Sequence, residues 1–447
     1  MYILTNGRLI TRDPNGKGYY EKGAVAYEGS KIVEVGEEAA LTAKYPQAEK
    51  IDAKGGVIMP AFINAHTHIY SALARGLSIV GNNPTNFFEV LDGTWWAIDR
   101  HLTLEGTRAS ADALYIDCIK QGVTTIFDHH ASYCQIPGSL FQIGESAKKF
   151  GIRSCLCYEV SDRDGEEKCL EAIRENADWI AYCQEHKDPM LAAMFGGHAL
   201  FTISDKTFDR MVEANNGRTG YHIHVSEGMN DVYDSLQNYG RRPVQRLQDH
   251  GILGEKTILG HCIHVNTAEM EIIKETGTMV VNNPESNMGN AIGICPVLQL
   301  YKRGILLGMG TDAYTNDMLE SLKVALCSQR SQNCLPNVGW CEVTDMLFKN
   351  NARIGAKYFP DQLGVLKAGA AADIIVMDYK PFTPFSDENI DGHMIFGMTG
   401  RQCQTTIAAG KLLMKDRKLV GIDEEAENAH ILEASKKLWG SLNHREY

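Results

Sequence analysis

G-V-I-M-P-A-F-I-N-A-H-T-H, residues 56–68, carries the reading on which the architecture turns. The apolar run Gly56 to Pro60 reads as a strand, and the polar text after it sets His66 and His68 two residues apart. On an extended segment residues i and i+2 point the same way, so both imidazoles address one point. Working outward, short β-branched runs recur at Val123 to Asp128, Ile152 to Tyr158, Leu191 to Gly196, Tyr221 to Val225, Thr257 to Gly260, Thr278 to Val281 and Ile305 to Met309. Between them, Thr107 to Lys120, Gly165 to Tyr182 and Thr267 to Thr276 show helical spacing of apolar positions. Eight such units predict an α/β fold, a TIM-type (β/α)8 barrel. A doubly wound open sheet is the alternative, but no G-x-G-x-x-G follows any strand.

The chain has 447 residues, more than the roughly 250 of a barrel, and the surplus lies mainly at its ends. Short apolar runs broken by Asn6-Gly7 and Asn15-Gly16 read as antiparallel strands, and the same texture returns at Ala372 to Asp378 and Thr405 to Met414. Two β-rich ends predict one small composite β-sandwich. The expected division is residues 1–57 and 361–425 for the sandwich, 58–360 for the barrel and 426–447 for a C-terminal helical tail.

A formal charge of −12 leaves no sequence-wide basic surface, so nucleic acid is not expected as a partner. No stretch approaches the roughly 20 apolar residues of a membrane helix, and the first residues lack the pattern of a secretory leader. A cytoplasmic protein without membrane attachment is the expectation. The 12 cysteines are scattered and form no C-x-x-C pair, which argues against a disulfide scaffold or zinc ribbon.

A barrel places reacting groups at the C-terminal ends of its strands, so the residues following each apolar run carry the chemistry. His66 and His68 follow the first strand, and H-I-H-V-S-E brings His222, His224 and Glu227 at the fifth. L-G-H-C-I-H brings His261 and His264 at the sixth, and G-M-G-T-D-A brings Asp312 at the eighth. His66, His68, His224 and Asp312 together suit a divalent cation with open positions for water. One imidazole suffices at the fifth strand, so His222 is expected nearer the barrel interior. His129 and His130 follow the second strand, and Glu159, Asp162 and Arg163 follow the third. They also stand at the reactive end, with His129 and Arg163 as candidates for substrate contact.

These blocks, with N-P-E-S-N-M-G-N-A-I-G-I-C-P-V and the closing G-V-L-K-A-G-A-A-A-D-I-I-V-M-D, resemble the amidohydrolase superfamily over nearly the whole chain, in particular its cytosine, guanine and adenosine-type deaminases. H-T-H-I-Y-S-A-L-A-R-G, W-W-A-I-D-R and D-H-H-A-S are similar to the aminohydrolases called SsnA. The resemblance implies one metal, zinc or sometimes iron, on His66, His68, His224 and Asp312. The binuclear branch has a carboxylated lysine at the end of strand four, where this chain has Gly196, Gly197 and His198. Implied roles are a hydroxide generated at the metal, Asp312 as acceptor of the water proton, Glu227 as ring-protonating acid and His261 as orienting or polarising group. His198, Glu285, Asn287 and Trp95 match positions that imply substrate contact.

The implied reaction is hydrolytic deamination of an amino-substituted nitrogen heterocycle, with loss of another leaving group (chlorohydrolase-like) or cyclic-amide opening as alternatives. Purine-nucleoside relatives carry a ribose-reading carboxylate near the position of Phe88. Only Glu89 stands nearby, so a free base or compact ring is favoured over a nucleoside. A homodimer or higher homo-oligomer is what the resemblance implies for assembly.

Overall fold

A computed structural model describes residues 1–447. The N-terminal strands are β1 (Tyr2–Ile10), β2 (Tyr19–Glu28), β3 (Lys31–Glu37), β4 (Glu49–Asp52) and β5 (Val57–Pro60). The parallel strands are β6 (Phe62–Thr67), β7 (Val123–His130), β8 (Arg153–Tyr158), β9 (Leu191–Ala193), β10 (Phe195–Ala199), β11 (Tyr221–Val225), β12 (Ile258–His261), β13 (Met279–Asn282) and β14 (Leu307–Met309). The chain finishes with β15 (Ile374–Met377), β16 (Cys403–Ala408), β17 (Lys411–Lys415), β18 (Lys418–Leu419) and a helix over Glu424–Asn443.

Strands β1 to β5 and β15 to β18 form one nine-stranded sheet, in which β5 joins the two chain ends by pairing with β1 and β15. This corrects the sequence reading at its first strand. Val57–Pro60 belongs to the outer sheet, and the first barrel strand is the next segment, Phe62–Thr67, which itself carries His66. Both segments are fully buried and the apolar run Val57 to Ile63 crosses from one into the other, so hydrophobicity does not mark the boundary; Pro60 and the pairing of Ala61 N–H with Asp373 mark the change of sheet.

The parallel strands fall into β6-β7-β8-β9 and β10-β11-β12-β13-β14. The fourth predicted strand is split at Met194, with β9 pairing with β8 and β10 with β11. Two isolated parallel bridges link the sheets, Val160 to Gly197 on one side and Thr67 to Asp312 on the other. Ile63, Phe127, Cys155, Cys157, Ala192, Met279 and Val281 pack into one cluster with Phe359 and Leu363. By strand parity those faces continue toward the C-terminal ends as His129 beyond Phe127 and Glu159 beyond Cys157. The opposite faces, with Ile126, Leu156, Ile223 and Val280, pack with the surrounding helices.

The outer sheet is tied to the barrel by a buried ion pair. Arg153 on β8 donates to Asp373, whose other carboxylate oxygen accepts from the backbone of Ala409 at 2.6 Å. Thr124 donates to the same carboxylate at 3.2 Å. Replacing Asp373 by Ala leaves a buried guanidinium without its anion and is expected to destabilise the fold by about 3 to 5 kcal/mol, read from denaturant unfolding monitored by circular dichroism.

Candidate metal centre and active site

The two ends of the parallel sheet meet at His66. Its carbonyl accepts from both Thr311 N and Asp312 N at 3.0 Å, while the Asn64 amide donates to the Thr311 hydroxyl at 2.7 Å. Asp312 thereby arrives beside the first strand with φ +58°, a conformation that a non-glycine residue adopts only when its surroundings enforce it. Gly310 is required at this seam, since a Cβ there would stand 2.7 Å from both Cβ and the carbonyl oxygen of His66. Strained strand ends recur at Ser226 (φ +49°) and His261 (φ +69°). The loops they start are tied together by Cys262 N donating to Val225 O and His264 N to Ser226 O.

Ring nitrogens and a carboxylate converge inside this rim. His68 Nε2 lies 3.2 Å from His224 Nε2 and 3.1 Å from an Asp312 oxygen. His261 Nε2 lies 3.3 Å from the other Asp312 oxygen and 3.5 Å from Glu227. The groups behind them set which nitrogen carries the proton. His68 Nδ1 donates to the carbonyl of His129 at 2.6 Å, and His261 Nδ1 donates to the Asn287 side-chain oxygen at 2.7 Å. The Asn287 amide is held in that orientation because its nitrogen donates to Asn282. Nε2 of each ring is therefore left with a lone pair toward the centre. His66 contacts Nε2 of His222 through Nδ1 at 2.8 Å, and its own Nε2 is buried without a partner. His66, His68 and Asp312 form one group close enough to hold a metal ion; His66, His224 and His261 form another. Convergent lone pairs, an orphaned buried nitrogen and a carboxylate are the donor set a divalent cation requires, so the residues fit such a group.

The electrostatics separate the two carboxyls beside this cluster. Burial, with Asp312 adding to it, pushes Glu227 well above the usual carboxylate range. Burial also acts upward on Asp312, but hydrogen bonding to His68 and the field of His68 and His261 outweigh it and hold that group below its ordinary value. Burial drives His66 and His224 well below the usual imidazole value. At His68 the same burial is opposed by the carboxylates of Asp312, Glu159 and Asp128 that face it. Burial thus favours the protonated form of Glu227 and the neighbouring imidazoles favour the ionised form of Asp312, a separation that suits acid and base roles.

A narrow pocket opens over the cluster, walled by Tyr70, Phe87, Leu91, Trp95 and Trp96 and reached by Glu159, His198, Glu227, Ser286 and Asn290. Of the residues expected at a substrate, Trp95 and His198 line it. His129, Arg163, Glu285 and Asn287 do not, and those expectations are corrected. His129 is fully buried below the cavity floor, bonded to Glu159 and to the carbonyls of Gly197 and His222. Arg163 is paired with Asp99 behind Trp96, its guanidinium over the Tyr133 ring. Glu285 accepts from Ser321 at 2.7 Å, away from the lining. Asn287 acts on His261 instead of reaching the cavity. His264 turns outward to the carbonyl of Ile292.

The sequence reading missed Ser286 and Asn290 as lining residues. Pro284–Gly289 forms a short helix, and the i, i+4 spacing of these two residues was the available signal.

The chain belongs to the amidohydrolase family, whose profile matches residues 57–413. A second profile, the bacterial imidazolonepropionase-like composite domain, matches residues 23–48. The 5'-deoxyadenosine deaminase of Methanosarcina mazei is 29% identical over 452 residues, covering 99% of each chain. The 5-methylthioadenosine/S-adenosylhomocysteine deaminase of Thermococcus sibiricus is 31% identical, covering 88% of this chain and 90% of that one. Among solved structures, an adenosine deaminase from Xanthomonas campestris with bound zinc superposes with a TM-score of 0.83 at 22% identity, covering 98% of both chains.

The converging donors predict uptake of a divalent cation. His66→Asn, which removes the unpartnered nitrogen, should lower cation affinity by more than about 100-fold, measured by metal analysis after dialysis against graded chelator.

Proposed function

We propose that this protein is a metal-dependent hydrolytic deaminase of amino-substituted nitrogen heterocycles, releasing ammonia. The observation that carries the proposal is geometric: the Glu227 and Asp312 carboxyls both face Nε2 of His261, at 3.5 and 3.3 Å, beside a converging histidine cluster and beneath an aromatic wall. The deaminases among its relatives support the same reaction class.

His66, His68, His224 and Asp312 would hold one cation, with zinc as the first choice and iron as the second, since imidazole suits both. A divalent cation there supplies Lewis-acid polarisation and makes hydroxide available near neutral pH. The chain's own groups do the rest. Trp95, Trp96 and Phe87 hold the flat ring and exclude water from its faces. Glu227 delivers its proton to the ring nitrogen next to the attacked carbon, which makes that carbon electrophilic, and recovers a proton from the added hydroxyl group as the carbonyl forms. Asp312 accepts the proton of the attacking water and passes it to the departing amine. His261, fixed by Asn287, orients that water.

We favour a free base or compact ring over a nucleoside, on the placement of one carboxylate. The Glu89 carboxylate, next to Phe88 in sequence, accepts from Thr85 N at 2.6 Å and the Thr85 hydroxyl at 2.9 Å, and it does not line the cavity. No helix is long and apolar enough to cross a membrane. We assign the protein to the cytoplasm, which twelve free thiols support.

Zinc-loaded protein incubated with a panel of purines and pyrimidines should release ammonia with the ring intact; ring opening or halide release instead overturns the proposal. Chelation should abolish turnover and zinc restore it. Glu227→Gln should retain the metal while kcat falls about 10²- to 10⁴-fold, measured by coupled ammonia assay beside metal analysis.

A further inference from the structure

Glu159 follows β8 and its side chain is 2% exposed. Its Oε1 meets Nδ1 of His129 at 3.0 Å. The two groups share a proton there, because Nε2 of His129 already faces the carbonyls of Gly197 and His222 at 3.0 Å each. Oε2 is differently placed. It takes no hydrogen bond, and the neighbour it faces on β10 is Nε2 of His198, at 3.9 Å.

His198 presents a lone pair to that oxygen. Its Nδ1 lies 2.8 Å from the Thr202 hydroxyl oxygen, and the Thr202 hydroxyl proton goes to the carbonyl of Ala199 at 2.9 Å. Nδ1 is therefore the donor to Thr202, which leaves Nε2 as an acceptor. Both side chains line the cavity, and the Trp96 ring packs edge-on to His198 with centroids 5.8 Å apart. Two acceptor atoms on buried side chains that open onto the same space with no donor between them are placed to receive a ligand N–H. At 3.9 Å apart they are close enough to receive from one amino or ring N–H group about 2.9 Å from each.

We propose that Oε2 of Glu159 and Nε2 of His198 form an acceptor pair that reads a second N–H group of the substrate, on the edge of the ring facing β8 and β10. The inference rests on the deaminase reading above and narrows its substrate class. Glu227 requires an acceptor nitrogen on one edge of the ring, and the Glu159–His198 pair requires a donor on another. The site therefore selects rings with an amidine- or guanidine-like pattern, in which a ring N–H or further amino group accompanies the acceptor nitrogen. It rejects rings with an ether or carbonyl oxygen at the donor position. Glu159 is a specificity-determining residue in this account, and its bond to His129 holds Oε2 toward the ring.

The test is equilibrium binding of 2-aminobenzimidazole and 2-aminobenzoxazole to the zinc-loaded protein, by calorimetry in alkaline buffer where neither ring is protonated. The two rings have the same shape, and one ring N–H of the first is an oxygen in the second. Wild type should favour the imidazole by roughly 100-fold, the scale on which a buried acceptor rejects a ring that lacks its donor. Glu159→Gln can turn its amide nitrogen to the cavity and should bring the ratio close to one, with zinc content unchanged. His198→Asn, which does not touch His129, should also shrink the ratio. Equal affinities in wild type overturn the proposal, as does failure of both rings to bind or an unchanged ratio in both variants. If Glu159→Gln loses zinc and His198→Asn leaves the ratio intact, Glu159 supports the metal ligands and does not read the ring, which also overturns it. Failure of the deaminase reading shows separately, as absence of ammonia from the heterocycle panel while the binding ratio still responds to Glu159.

Discussion

The backbone carbonyl of His66, accepting from both Thr311 and Asp312, is the constraint on which the rest of the site depends. It joins the first and last parallel strands where the ligating side chains emerge. His66 and His68 lie more than 240 positions from Asp312 in the chain, and no local preference brings them together. The seam leaves room only for glycine at position 310 and forces Asp312 into the left-handed region. Part of the folding free energy is thereby held as local strain where the carboxylate must face two imidazoles.

The rest of the centre is organised by groups that never touch the cavity. His129, His222 and Asn287 each contact a ring nitrogen of an inner histidine through a carbonyl or side chain. Without those partners the inner rings would rotate or change tautomer. Burial then acts in opposite directions on neighbouring groups. Burial and the Asp312 charge push Glu227 upward, whereas Asp312, hydrogen-bonded to His68, is held low. The same separation of donor from acceptor extends across the cavity, where Glu159 and His198 offer lone pairs opposite the acid.

Much of this was legible in the sequence because strand parity is a local property. His66 and His68 are two residues apart on one extended segment, so their shared direction follows from backbone geometry, whereas Glu227 joins His224 only through the left-handed turn at Ser226. The eight-unit rhythm was equally legible, since each strand-helix pair writes its own hydrophobic period. The first strand was misplaced because Val57–Pro60 and Phe62–Thr67 are both wholly buried. Two adjacent buried strands give one uninterrupted apolar signal, and only hydrogen-bond partners assign them to different sheets. Arg163 and His129 were misjudged for a related reason. Standing after a strand at the reactive end says nothing about whether a side chain reaches the cavity or a buried partner such as Asp99 or Glu159.

By itself the sequence determined the class of fold and the histidine- and carboxylate-bearing motifs at the strand ends, which depend on residue type and spacing within a few positions. The tertiary structure alone decided which of those polar groups meet. It set Asp312 against His68, turned Asn287 toward His261, withdrew Arg163 behind Trp96 and left one Glu159 oxygen facing His198. The physical reason is that protonation, tautomer and access are fixed by burial and by partners distant in the chain.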